Sequence, residues 1–271
     1  MLMRDKLEKL RCILRQMERV VVAYSGGVDS TFLLKVAQEC LGDGVLAVTA
    51  DAPSLPRHEL EEARRIARQL AVRHLVVESH ELDDPLYLAN DPLRCYYCKA
   101  IRYSQLVAYA QEQGYRYVVD GVNADDLGDH RPGLRAAEER GVRSPLQEAG
   151  LSKAEVRALA RELGLPNWDK PPSACLASRI PYGTAITPES LRRIEQAEVA
   201  LRRLGPGQLR VRDHGQVARI EVDGRDFALI LEQRERIVAA LKQLGYAYVT
   251  LDLAGFRSGS MNEVLKSDGR V

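Results

Sequence analysis

Residues 20–31 read VVVAYSGGVDST, and the rest of the chain is best understood from them. Val20, Val21, Val22 and Ala23 form a short apolar run, closed by Tyr24. Two glycines, a carboxylate and the hydroxyls of Ser25, Ser30 and Thr31 follow, and TFLLKVAQECL continues from residue 31 to 41 with the apolar density of a buried helix. A short apolar run bounded by turn residues reads as a buried strand. A strand, a glycine turn and a helix start together make an anion site. Gly26 and Gly27 permit unusual backbone angles and close approach, while the N–H groups of the first helical turn lack internal partners and carry about half a positive charge. Two phosphate-binding patterns are absent. There is no G-x-x-x-x-G-K-[ST], so the P-loop lysine is missing, and there is no G-x-G-x-x-G of the dinucleotide-binding kind. The plainer alternative is a turn in which Asp29 and Ser30 only cap the helix.

On either side of this stretch, short apolar runs alternate with amphipathic helical patterns. GVLAVTAD precedes PRHELEEARRIARQL, RHLVVES leads to a helix beginning near Cys95, and YRYVVDGVNADD follows that helix. SKAEVRALARELG closes the region, with Ser152 and Glu155 in capping-box spacing. The alternation predicts an α/β fold, a parallel sheet with helices on both faces, over residues 1–165. Residues 166–186 hold four prolines together with Trp168, Cys175, Arg179 and Tyr182, which reads as a functional loop. Residues 187–271 predict a smaller α+β domain. It comprises a helix with Pro188 at N1 after Thr187, two strands in LRVRDHGQVARIEV turning at His214-Gly215, a helix over RERIVAALKQLG and a strand in AYVTLDL.

Bulk properties exclude several classes. The 271 residues carry 39 basic and 38 acidic side chains, a net charge of +1, which argues against a nucleic-acid binder relying on clustered phosphate neutralisation. No run approaches the ~18 apolar residues of a membrane helix, and the N-terminal segment is charged and amphipathic, without a signal-peptide pattern. The expectation is a cytoplasmic protein with no membrane or nucleic-acid partner. Five cysteines, an odd number, make a disulfide framework a poor reading and favour metal or thiol chemistry. Cys95 and Cys98 form a C-x-x-C at a helix start, where the dipole favours thiolate, and Cys175 lies in the proline-bounded loop. Three thiolates can hold three irons of a [4Fe–4S] cluster and leave the fourth open for an extra sulfide. Sulfur donation by Cys175 without a cluster and a thioredoxin-like dithiol remain alternatives. Cys12 and Cys40 read as packed thiols, and His58, His74 and His80 show no ligand spacing.

Ser25-Gly26-Gly27-Val28-Asp29-Ser30 resembles the SGGxDS loop of the PP-loop ATP pyrophosphatases. The resemblance implies binding of the pyrophosphate of ATP by Ser25, Gly26, Gly27, Val28 and Ser30, with Asp29 holding magnesium or orienting the loop. Nearly the whole chain is similar to LarE-type sulfur transferases, through DHRPGLRAA (129–137), RSPLQEAGLSKAEVRALARELGLPNWDK (143–170), PPSACLASRIPYGT (171–184), LRVRDHGQVARIEV (209–222) and YVTLDLAGFRSGSMNE (248–263). That family thiolates pyridinium-3,5-biscarboxylic acid mononucleotide. The resemblance implies an ATP- and Mg2+-dependent, AMP-forming enzyme with a small nucleotide substrate, an upstream sulfur donor and a homo-oligomeric, hexameric assembly. Some members sacrifice a single loop cysteine, whereas this chain carries the C-x-x-C pair as well. Arg210 and Arg212 lie on one side of a strand, and with Ser178 and Arg179 they are implied to hold the substrate phosphate. Asp125, Asp126 and Asp129 crowd a loop that suits Mg2+, with Arg131 on phosphate. Glu198, Glu221 and Asp226 are implied as a further divalent-cation site. An ammonia-using PP-loop ligase, a tRNA thiolase and a non-catalytic ATP or Fe–S sensing module are the competing functions.

Overall fold

The computed structural model describes residues 2–128, 132–257 and 259–263. Element by element, the chain runs α1 (Met3–Met17), β1 (Val20–Ala23), α2 (Val28–Leu41), β2 (Val45–Asp51), α3 (Arg57–Gln69), β3 (Arg73–Glu78), α4 (Pro85–Leu88), α5 (Arg94–Glu112) and β4 (Tyr117–Val119). It continues with α6 (Pro132–Glu139), α7 (Pro145–Glu148), α8 (Lys153–Glu162), α9 (Pro188–Arg202), β5 (Leu209–His214), β6 (Val217–Val222), α10 (Phe227–Glu232), α11 (Arg234–Gln243) and β7 (Tyr248–Leu251). Two compact units result, one of Met1–Asp84 with Leu93–Ser173 and one of Pro85–Pro92 with Ala174–Val271.

In the first unit four parallel strands pair in the order β3-β2-β1-β4. Side chains alternate across a strand, and here the alternation divides the core in two. Val20 and Val22 of β1, with Val45 and Ala47 of β2, join Leu10 and Leu14 of α1, Phe32, Leu33 and Val36 of α2, and Val156 and Leu159 of α8. Val21, Leu46 and Val48 point the other way, onto Tyr103, Leu106 and Ala110 of α5. Helices therefore cover both faces, as the alternating pattern predicts. The α8 start is the expected capping box. Ser152 Oγ accepts the Glu155 N–H at 3.2 Å and Glu155 Oε2 accepts the Ser152 N–H at 2.9 Å.

In the second unit β5-β6-β7 form a mixed sheet, β5 antiparallel and β7 parallel to β6. Its core gathers Val211, Ile220 and Val222 with Leu201, Ile237 and Leu241. Pro188 opens α9 at N1, and Thr187 Oγ1 accepts the Ser190 N–H at 3.0 Å. The β5 strand departs from simple alternation, since Leu209 through Asp213 are all buried, including both arginines. The short α10 lay outside the expected elements. Residues 85–92 join this unit through backbone pairs, Ile186 N–H to Leu88 O (2.9 Å) and Gly183 N–H to Asn90 O (3.0 Å).

Close packing also fixes Gly121, just past β4. A Cβ there would lie 2.8 Å from Ser30 N and 3.0 Å from Ser30 Cα, atoms of the α2 backbone that cannot yield cheaply. Gly121→Ala is expected to cost about 1–3 kcal/mol by overpacking, read from the urea midpoint. An unchanged midpoint would mean that the strand end and α2 are not in register as described.

Candidate active site

From β1 the chain steps outward through β2 to β3, then crosses to the far side of β1 to make β4. That reversal creates a crevice beyond the carboxyl ends of β1 and β4, the usual ligand position of an open parallel sheet. A cleft of about 320 Å³ lies there, lined by Ser25, Gly27, Asp29 and Ser30 of the glycine turn, by Asp120 and Gly121 after β4, and by Lys99 and Arg102 of α5. Asp126 lines it as well; the sequence reading found the turn and Asp126, and missed Lys99, Arg102, Asp120 and Gly121.

The turn is closed by its own polar groups. Gly26 has φ +73°, and a Cβ there would fall 2.9 Å from Ala63 Cβ, so both the angle and the space require glycine. Gly27 caps α2 in an extended conformation, and its carbonyl accepts the Thr31 N–H (2.9 Å) and the Ser30 hydroxyl (3.2 Å). Ser25 Oγ accepts the Gly27 N–H at 3.3 Å and lies 3.1 Å from Ser30 Oγ. The two hydroxyls are thus held side by side at the positive end of a helix.

Asp29 pairs through Oδ2 with Lys153 Nζ, while its Oδ1 is buried without a hydrogen-bond partner. An orphaned carboxylate oxygen at the wall of this cleft fits a Mg2+ ligand. Asp125 Oδ2 accepts the Lys153 N–H at 2.8 Å, and Asp126 Oδ2 accepts the Asn123 N–H at 3.1 Å. Asp29 and Asp125 thus both bind Lys153, the first at its side-chain ammonium and the second at its backbone N–H. Lys153 had a sequence signal, because a lysine in a helix's first turn opposes the dipole and invites a functional explanation. Asp129 and Arg131 lie outside the described residues.

Cys95 is exposed in the first turn of α5, and Cys98, one turn on, is partly buried. Cys98 Sγ stands 4.0 Å from Glu81 Oε2. Burial pushes the Glu81 carboxyl up, but Arg102 and the hydroxyls of Ser54 and Ser79 outweigh it and hold it below the ordinary range. Arg102 grips Glu81 with two bonds of 2.9 Å.

In the second unit, Cys175 precedes a single turn, Leu176–Arg179, braced by buried arginines. Arg179 binds Glu198 at 2.8 and 3.1 Å and donates to Ala174 O (2.6 Å), Cys175 O (2.9 Å) and Ser178 Oγ (3.0 Å). Arg212 donates to Ser178 O (3.0 Å), Glu221 (2.7 Å) and Ser260 Oγ (3.0 Å), and its buried Nε has no partner. Arg210 donates to Leu209 O at 2.7 Å and lies over the Phe256 ring. Burial, then the nearby Arg179, outweigh Glu198 and push the Arg210 guanidinium down to about 10. Arg179 and Arg212 both reach Ser178 in the cysteine turn, and Arg210 is near enough to Arg179 for their charges to repel. Most of Arg179's donors are committed to protein oxygens, which makes it a brace. Glu198 and Glu221 are occupied by arginines, and Asp226 accepts the Gly207 N–H at 3.0 Å. Among the described residues no three Cys, His, Asp or Glu side chains gather as a metal-binding group.

Residues 7–187 match the family model described as asparagine synthase. The chain is 42% identical over 261 residues to the pyridinium-3,5-bisthiocarboxylic acid mononucleotide synthase of Lactiplantibacillus plantarum, covering 96% of this chain and 95% of that one. It is 47% identical to an uncharacterized protein of Synechocystis, over 97% and 99% of the two chains. A tRNA-specific 2-thiouridylase of Xanthobacter autotrophicus is 33% identical over 57% of this chain and 49% of its own. The chain belongs to the PP-loop ATP pyrophosphatase family. It is an enzyme of that family and a LarE homologue. Among the described residues, no helix is long and apolar enough to cross a membrane.

Behind the PP-loop, Thr49 Oγ1 donates to Tyr24 O at 2.7 Å and lies 2.8 Å from His74 Nε2. With the threonine proton already used, His74 donates through Nε2–H and is neutral. Its ring meets Tyr24 edge-on at 5.5 Å. Burial, assisted by Arg64, lowers His74 from 6.5 to about 4. An unfolded histidine takes up its proton near 6.5 and this one near 4, so the unfolded chain binds more protons in that window and stability falls as pH drops through it. His74→Gln, which keeps a donor without titrating, is expected to flatten the urea-midpoint profile between pH 6.5 and 4. An unaltered slope would place the titration elsewhere.

Proposed function

We propose that this enzyme adenylates a carboxylate of pyridinium-3,5-biscarboxylic acid mononucleotide and replaces the carboxylate oxygen with sulfur. The observation that carries the reading is the near full-length similarity to the synthase from L. plantarum. That similarity spans both the PP-loop cleft and the arginine-braced cysteine turn. A carboxylate oxygen is a poor leaving group and AMP a good one, so ATP activation is what thiolation requires.

In this reading Ser25, Ser30 and the free N–H groups of the α2 start hold the β and γ phosphates, with Lys99 and Arg102 on the cleft wall. Mg2+ at Asp29 Oδ1 would neutralise phosphate charge there. The substrate carboxylate attacks the α phosphorus, one P–O bond forms, the α–β bridge breaks and pyrophosphate leaves with its electron pair. A sulfur nucleophile then adds to the acyl carbon and expels AMP, which carries away the former carboxylate oxygen. Arg212, through its unpartnered Nε, and Arg210, crowded by like charges, favour an anion, and the substrate phosphate is assigned to them. Arg179 and Ser178 keep the cysteine turn in shape.

Cys95, Cys98 and Cys175 are the proposed ligands of a [4Fe–4S] cluster, a proposal that rests on the C-x-x-C spacing and the loop cysteine in the sequence, since among the described residues they do not gather as a metal-binding group. When bound, such a cluster supplies an iron-held sulfide as the nucleophile, replenished by an external sulfur donor. The chain is further proposed to act as a homo-oligomer. The test is protein purified without oxygen and assayed for iron, acid-labile sulfide and sulfur-for-oxygen exchange in the mononucleotide. About four irons per chain, with iron and repeated turnover lost in Cys95→Ala, Cys98→Ala and Cys175→Ala, are expected. Iron-free, colourless protein that resists reconstitution would remove the cluster. Absence of any thiocarboxylate product from active preparations would remove the substrate assignment.

A further inference from the structure

Asn167 lies in the segment between α8 and the cysteine turn, and it is only 2% exposed. Its Nδ2 donates to Gly26 O and to Thr31 Oγ1, each at 3.0 Å. One amide thus spans the PP-loop, gripping the carbonyl of its left-handed glycine and the hydroxyl that opens the second turn of α2. Its Oδ1 is buried without a partner. Burying that oxygen is unfavourable, and it is tolerated only because the donor end is needed where it is.

Three residues on, the same segment is fastened again. Lys170 Nζ binds Glu59 at 2.6 Å and also contacts Glu62, and Arg157 donates to Lys170 O at 2.8 Å. Burial raises the Glu59 carboxyl, but His58, Lys170 and Ser173 outweigh it and draw it to about 2, so this pair stays charged across the working range. Both fasteners act on one feature. Glu59 and Glu62 belong to α3, the helix whose Ala63 packs against Gly26. Gly26 therefore has Ala63 on its Cα side and Asn167 on its carbonyl, and the segment 167–170 is tied to both. Cys175 follows Lys170 by five residues, so the chain limits its Cα to roughly 18 Å from that segment's end.

We propose that Asn167 is a positioning residue that couples occupancy of the PP-loop to the order of the cysteine-bearing segment. Pyrophosphate binding draws on the N–H groups of the α2 start, which follow Gly27 directly, and so fixes the Gly26–Gly27 peptide, whose N–H Ser25 Oγ already holds. The Gly26 carbonyl belongs to that peptide, so a fixed loop offers Asn167 a fixed acceptor. Segment 166–175 tightens when phosphate arrives and loosens when it leaves. The enzyme would thereby expose its sulfur-bearing segment least while the acyl-adenylate is being formed. The inference rests on the pyrophosphate-loop reading above, and the test separates the two.

Hydrogen exchange with mass spectrometry, on the full chain with Mg2+ and inorganic pyrophosphate, is the direct experiment. Wild-type protein is expected to show slower exchange in peptides covering 20–31 and 166–175. Asn167→Ala is expected to keep the first protection and lose most of the second, with KM for ATP raised at least roughly tenfold, since both bonds of Nδ2 are lost. Asn167→Asp preserves the side-chain shape but sets a carboxylate oxygen against the Gly26 carbonyl. It covers the case in which the alanine variant fails to fold, and the same loss is expected. Asn167→Gln is expected to restore part of the response, which a merely space-filling role would not predict. If 20–31 is protected in the wild type and 166–175 is not, or if both variants retain protection of 166–175, the coupling is wrong. If pyrophosphate leaves 20–31 unprotected, the loop reading falls and the coupling falls with it.

Discussion

A turn that binds phosphate must keep its N–H groups unpaired by protein and still hold one conformation, and those demands oppose each other. In this chain the conflict is resolved largely on the carbonyl side, with only the N–H groups ahead of α2, those of Ser25 and Gly27, held by serine hydroxyls. The Gly27 carbonyl is saturated by Ser30 and Thr31, the Gly26 carbonyl by Asn167, and the Ser25 and Ser30 hydroxyls support each other. Donors at the α2 start are thereby aimed and left available, where the helix dipole adds positive potential. Gly26 at φ +73° against Ala63, and Gly121 against the Ser30 backbone, are consequences of packing a sheet and a helix tightly around that turn.

The second unit applies a related principle with side chains. Three buried arginines, 179, 210 and 212, stand near two buried glutamates, 198 and 221. Burying ions is costly unless they are paired and hydrogen-bonded. Arg179 meets this requirement almost completely and so braces the cysteine turn. Arg212 meets it except at Nε, and Arg210 is depressed by burial and its like-charged neighbours. The excess of buried arginines over these glutamates is local in a chain whose net charge is +1, which suits the proposed substrate-phosphate site.

Much of this was legible in the sequence. The PP-loop was recognised by its resemblance to SGGxDS, while short continuous apolar runs, the alternation of 209–222 and the S-x-x-E spacing at 152–155 are local signals from which the strands and α8 followed. The C-x-x-C fell at a helix start for the same reason. What the sequence hid was long-range. Nothing near Lys153 announces Asp29, 124 residues earlier, and nothing near Asn167 announces Gly26. Gly121 reads as an ordinary loop glycine until α2 is laid beside it. Residues 85–92 carry no mark of belonging with 174–271, since backbone pairing with residues 183 and 186 is invisible to periodicity. Spacing put Arg210 and Arg212 on one side of a strand and by itself suggested a solvated basic face; the family resemblance singled them out, and their full burial was hidden because alternating strands ordinarily leave one face wet.

The central claim is that the PP-loop breaks ATP between its α and β phosphates by joining AMP to a substrate carboxylate. The most direct measurement uses the mononucleotide labelled with oxygen-18 in its carboxylates and follows the label by mass spectrometry through one turnover. The account predicts one labelled oxygen in AMP and none in pyrophosphate. Unlabelled AMP, or label in ADP or inorganic phosphate, would contradict adenylation and with it the function proposed for this loop.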